Sequence, residues 1–194
     1  MRGGFVIFED VSFDALPGEV ILLRGPNGAG KSTCLSALYG ALPPGEGIID
    51  ILLDDEDRSP RELIHVVGHL PGVKATLTVR ENLEFWATLF GGETDVNAAI
   101  DSAGLHPIAD SDASILSAGQ TRRLALARLL VAPRPIWLLD EPTAALDKQG
   151  EGWVGELIAD HAGAGGIVVA ATHLDIPNVP ENKIKTVMIN GASS

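Results

Sequence analysis

Apolar residues gather in short blocks along this chain, at residues 20–23, 64–67, 136–139 and 167–171. The blocks are near-continuous or β-branched where a half-buried strand would alternate, which predicts strands covered on both faces of a mostly parallel sheet. His65 is a polar exception inside the second block. Helical patterns fill the intervals, at residues 31–39, 79–90, 96–103, 121–131 and 148–161. Gly91-Gly92 closes the second of these and Pro133 follows the fourth, as helix stops do. Strands alternating with helices predict an α/β fold.

Polar chemistry follows each block at its C-terminal end. Residues 20–23 lead into Gly25-Pro26-Asn27-Gly28-Ala29-Gly30-Lys31-Ser32, a full match to G-x-x-x-x-G-K-[ST]. Residues 64–67 lead to Gly68-His69, residues 136–139 to Asp140-Glu141, and residues 167–171 to Thr172-His173. Ligands in open α/β sheets bind beyond the carboxyl ends of the strands, so four groups far apart in sequence are expected at one site. Glycines let successive N–H groups of a P-loop turn inward, and the helix opening near Thr33 adds the positive end of its dipole. Lys31 is expected on the β- and γ-phosphates and the Ser32 hydroxyl on Mg²⁺. Asp140 suits a carboxylate that holds Mg²⁺ across from Ser32, and Glu141 suits orienting or deprotonating the attacking water. His173, at the end of another strand, is expected in the same site.

Composition narrows the partners. The chain has 194 residues, enough for one domain with a full core, and a formal charge of −12. That charge argues against a nucleic-acid-binding module, whose footprint would be basic. It leaves room for docking on a protein with basic loops, such as the cytoplasmic side of a membrane protein. No apolar run reaches the length of a transmembrane helix, and the N-terminus lacks a signal pattern. The single cysteine, Cys34, fits a reducing compartment and the role of a small buried residue. Asn182-Lys183 is followed by Ile184-Lys185, so no base-reading N-K-x-D of a GTPase occurs there.

Leu116-Ser117-Ala118-Gly119-Gln120, with Thr121 to Arg128 behind it, resembles the signature motif of ABC-type ATPases. The stretch from Pro135 to Asp147, with Asp140-Glu141-Pro142-Thr143 at its centre, is similar to the family's Walker B and D-loop. The resemblance spans essentially the whole chain. It implies a single ABC ATP-binding cassette over 1–194, with 1–68 and 116–194 forming a RecA-like core and 69–115 a helical subdomain. The sheet it implies is mostly parallel with an antiparallel edge. Ser117 is expected to cap a helix starting near Ala118, leaving a hydroxyl and amides facing outward. In the family, Ser117, Gly119 and Gln120 would complete the ATP site of a second copy, in a head-to-tail dimer with Asp147 at the interface. The resemblance thus assigns Glu141, His173 and Lys31 to catalysis, Gly25 to Thr33 to the nucleotide, and Ser32 and Asp140 to the metal.

Gly68-His69-Leu70-Pro71-Gly72-Val73-Lys74, running on to Leu83, resembles the ATP-binding subunit of the bacterial cytochrome c maturation system, the haem exporter ATPase. His69 stands where most ABC proteins carry the Q-loop glutamine, and a neutral imidazole there can accept or donate one hydrogen bond. The resemblance implies a peripheral ATPase on the cytoplasmic face of the inner membrane, working with integral membrane subunits and not binding haem itself. No C-x-x-C-H stretch for covalent haem is present. Another ABC transporter, of a small molecule or lipid, remains an alternative reading. A soluble ABC ATPase of DNA repair or translation would need a long coiled-coil insertion or tandem cassettes, and the span from Lys31 to Ser117 has room for neither. Two departures concern the ends of motifs. The adenine-stacking aromatic is replaced by Arg2, with Phe5 as the other candidate, and Ala144 replaces the usual D-loop serine. The opening strand reads as cut short, which places the true start upstream of Met1. Val79, Leu83, Trp86 and Phe90 make a helical apolar stripe, read as subdomain core or, in part, as a docking face with the 69–78 loop.

Overall fold

A computed structural model describes residues 6–51, 59–92 and 95–191. The elements run β1 (Val20–Arg24), α1 (Lys31–Leu38), β2 (Ile64–Val67), α2 (Val79–Phe90), α3 (Val96–Ser102), α4 (Ala118–Val131), β3 (Ile136–Asp140), α5 (Lys148–Gly163), β4 (Ile167–Ala171) and β5 (Ile184–Met188). The strands form a five-stranded sheet in the order β2-β3-β4-β1-β5, and each neighbouring pair is parallel. Antiparallel pairing among the described residues is limited to single bridges, Phe8 with Gly191 and Thr78 with Asp112. Of the expected antiparallel edge, the described residues show that first bridge alone.

Both faces of the sheet are covered, and this explains the unbroken apolar runs. Side chains alternate along a strand. Ile21, Leu23, Leu138, Val169 and Ala171 face Cys34 and Leu35 of α1. Val20, Leu22, Leu139, Val168 and Ala170 face Leu126 and Leu129 of α4 and Val154 and Ile158 of α5. Because β1 lies between β4 and β5, the connection to β2 must cross β4 and β3, and α1 packs on those two strands. The same alternation puts Asp140, two residues beyond Leu138, on the α1 face of the sheet.

A separate apolar cluster joins Val79 and Leu83 of α2 and Ala99 and Ile100 of α3 to Leu124, Ala127 and Val131 of α4. Helix α4 therefore has two buried faces, one in this cluster and one against the sheet, which is why its sequence shows no polar side. Its start is set by a capping box: the Ser117 hydroxyl accepts from the Gln120 amide, and the Gln120 side chain accepts from the Ser117 amide. Helix α2 has the same device in Thr78 and Glu81 and ends at Gly91, in the left-handed region at φ 69°.

Candidate nucleotide site

The P-loop turns on its glycines. Gly25 has φ 147°, and a Cβ there would lie 2.2 Å from the Ile189 carbonyl oxygen; Gly30 has φ 102°, and its Cβ would run into Ile7 and Phe8. Neither position admits another residue without moving backbone or neighbouring side chains. Gly30 is also the N-cap of α1, and it has no side chain to accept from the amides of the first turn. Those amides stay available to an anion, unlike the capped starts of α2 and α4. Lys31 folds back over the loop, its Nζ donating to the carbonyls of Gly25 (2.8 Å) and Pro26 (3.1 Å). The side chain is buried against neutral carbonyls, so its charge is held at the loop and ready for phosphate oxygens. Ser32 is exposed beside it. Cys34 is buried, and desolvation pushes its thiol up to about 11, which makes it inert.

The strand ends bring the other groups together. Asp140 is buried at the tip of β3. Glu141, next to it, is only partly covered, and its Oε1 meets His173 Nδ1 at 3.1 Å across the end of β4. Glu141 holds φ 46°, a left-handed backbone uncommon for any residue but glycine, while its amide donates to the Ala171 carbonyl. The turn aims the carboxylate away from the strand direction and toward His173. Arg24 fastens the ends of β1 and β4, donating to the Thr172 carbonyl and pairing with Asp175 at 2.7 Å. His69 follows β2 as an exposed side chain.

The signature turn is exposed at Ser117 and Ala118. Its cap uses the Ser117 oxygen as an acceptor, which leaves the hydroxyl proton as the outward donor. The Gln120 carbonyl is spent on the Ser117 amide, so Gln120 shapes the turn as well as lining it. Asp147 caps α5 through the Gly150 amide and meets Arg123 Nη2 at 3.2 Å; the first of these contacts, then Arg123, holds its carboxyl below the usual range. Arg2 and Phe5, the adenine-stacking candidates, lie outside the described residues.

Two buried side chains hold backbone around these groups, and although both lie inside the stretches quoted above, the sequence assigns neither a role. Asn82 of α2 accepts from the Lys74 amide and donates to the carbonyls of Lys74, Leu77 and Thr78, fixing the loop after His69. Arg122 occupies a core position of α4, at i relative to Leu126 at i+4 and Leu129 at i+7. A cation in an apolar stripe was the available signal for it.

A family model described as ABC transporter matches residues 8–144. Proteins named "Cytochrome c biogenesis ATP-binding export protein CcmA" are close in sequence. That of Rhodopseudomonas palustris strain BisB5 is 48% identical over 89% of this chain and 87% of its own length, and that of Ruegeria pomeroyi 47% identical over 90% and 81%. The chain belongs to the ABC transporter family. As an ABC ATPase it binds and hydrolyses ATP in the service of transport. Among solved structures, a dimeric ATP-binding cassette in a post-hydrolysis state bound to ADP and Pi superposes with a TM-score of 0.78 at 30% identity, over 94% of this chain and 86% of that one. An ATP-binding subunit of an ABC transporter, at 24% identity, shares the fold with a TM-score of 0.80 over 97% and 82%.

Proposed function

We propose that this cassette powers the export step of cytochrome c biogenesis, as the haem-exporting ATPase or by driving release from a haem chaperone. The reading is supported by relatives that carry that name and align over 87% and 81% of their own length, and by the Gly68 to Leu83 stretch that resembles the haem exporter ATPase. In each turnover the P-loop, Gly25 to Thr33, binds the phosphates through its free amides, Pro26 having none, and through Lys31. Glu141 holds the attacking water in line, and His173, hydrogen-bonded to Glu141, reaches toward the γ-phosphate. Ser32 and Asp140 would hold Mg²⁺, which would neutralise phosphate charge. No cluster of three or more His, Cys, Asp or Glu able to hold a metal occurs among the described residues, and an ion that keeps waters and phosphate oxygens needs only one or two protein ligands. Ser117, Gly119 and Gln120 serve the nucleotide of a second copy.

Residues 69–115 act as the subdomain facing the membrane subunits. Leu70 stands 83% exposed on a loop braced from behind by Asn82 and by Arg128, which donates to the Pro71 carbonyl. The apolar stripe is core at Val79 and Leu83, while Trp86 and Phe90 stack on each other at 5.3 Å, half-buried under the cations of Arg128 and Arg134. No described helix is long and apolar enough to cross a membrane, so in this reading the partner's helices provide the anchorage at the cytoplasmic face of the inner membrane.

The observation that carries the chemistry is the Glu141–His173 contact at the end of the P-loop sheet. Its test is complementation of a host lacking its own copy. Wild type should restore covalently haem-loaded cytochromes c, and Glu141→Gln should bind ATP yet fail to restore them, with turnover reduced about 10³-fold. Wild-type turnover in Glu141→Gln would remove Glu141 from the chemistry. Restoration of ATPase without any effect on cytochromes c would point to a different cargo.

A further inference from the structure

Arg122 lies 7% exposed beneath the site, and its guanidinium meets only main chain. Nη2 donates to the carbonyls of Asp140 (2.5 Å) and Glu141 (2.7 Å), Nε to Pro142 (3.2 Å) and Nη1 to Gly68 (3.0 Å). Three of those acceptors are consecutive residues around the left-handed turn at Glu141, and the fourth precedes His69. One planar fork thus grips both strand ends that carry the water-side residues, from a helix whose first turn is the signature. The buried charge is offset by carbonyl dipoles and by the nearby Asp140 and Glu141 carboxylates, which oppose the desolvation that lowers its pKa.

We infer that Arg122 is the positioning residue that holds Glu141 in its left-handed conformation and ties it, through Gly68, to the rigid start of α4. The inference rests on the proposed role of Glu141. A non-glycine residue at φ 46° persists only when its surroundings over-determine it. Here the carbonyls on both sides of the turn, and its own, are bonded to one guanidinium. Any displacement of α4 when the signature turn meets a partner's nucleotide would therefore pull on Glu141 directly. Lysine keeps the charge but offers a single point in place of the fork, so it cannot hold three successive carbonyls in register.

The test uses the chain co-purified with its membrane subunits, as wild type, Arg122→Lys, Glu141→Gln and the double variant. Arg122→Lys should bind a fluorescent ATP analogue within about twofold of wild type and keep KM, while kcat falls roughly 10- to 100-fold. In the Glu141→Gln background the same substitution should change residual single-turnover hydrolysis by less than about twofold, because the group it positions is gone. Wild-type kcat in Arg122→Lys would overturn the inference, and so would an equal further loss in the double variant. Parallel loss of kcat, nucleotide affinity and melting temperature would make Arg122 a general stabiliser instead. A Glu141→Gln chain that turns over normally would overturn the reading of Glu141 itself, a distinct failure.

Discussion

His65 shows how one residue can defy a pattern and still belong to it. The ring sits in β2 opposite Trp137, 1% exposed, with Phe90 edge-on at 5.0 Å. Its Nε2 donates to the Ala132 carbonyl at 2.5 Å, which fixes the neutral tautomer. Burial is the main cause that pulls its pKa down to about 4, with the Arg134 and Arg128 cations adding to it. The native state therefore favours the neutral ring, while the unfolded chain protonates near pH 6.5. Stability is full above that value, falls as pH drops toward 4, and levels off below. By linkage the loss between pH 7 and pH 5 is about 2 kcal/mol from this residue. His161, whose pKa burial also lowers, adds in the same direction. His65→Gln keeps a donor for Ala132 without a titration, so urea unfolding at the two pH values should show a smaller difference than in wild type. An unchanged difference would assign the acid sensitivity elsewhere.

At the level of elements, the sheet was legible wherever its strands are covered on both faces. β5 escaped because, among the described residues, Ile184-Lys185-Thr186-Val187-Met188 is an edge strand paired only with β1, its Lys185 and Thr186 exposed, so no apolar run marks it. Helix α4 begins at Ala118, as the expected Ser117 cap implies and three residues ahead of the start that periodicity alone marks, because the Ser117–Gln120 capping box starts it. The positions of the candidate side chains were legible for the opposite reason: Lys31, Asp140, Glu141 and His173 each sit next to the strand or turn that aims them. Arg122 and Asn82 act on backbone carbonyls and amides, groups every residue carries, and no pattern of residue types records which of them a side chain will reach. Asn82 makes its role measurable. Replacing it with alanine leaves the Lys74 amide and several carbonyls without their partner, a cost of about 2–3 kcal/mol for buried groups. Asn82→Ala should melt roughly 5–10 °C lower and exchange amide hydrogens faster in the 70–78 loop, while nucleotide affinity at the P-loop, which Asn82 does not bond, holds. Unchanged exchange in that loop would show that Asn82 does not brace it.

For the molecule as a whole, the signature turn is the part to which the proposed function gives a role outside one copy. Within the chain, the Ser117 hydroxyl oxygen already serves as a cap, and that role alone would explain a serine there. The two roles separate under Ser117→Asp. Aspartate caps a helix about as well as serine, so α4 should form and the unfolding free energy should change by less than about 1 kcal/mol. The first turn of α4 even favours a negative charge. A γ-phosphate presented by a partner copy does not: the hydroxyl that donates to it is replaced by a carboxylate that repels it. Placed in the Glu141→Gln background, where ATP-bound dimers should accumulate, Ser117→Asp should leave ATP binding by the monomer intact. It should abolish the ATP-dependent rise in mass seen by light scattering. A dimer that forms as readily with aspartate as with serine would confine Ser117 to its cap and place the closing wall of the nucleotide site elsewhere on the surface.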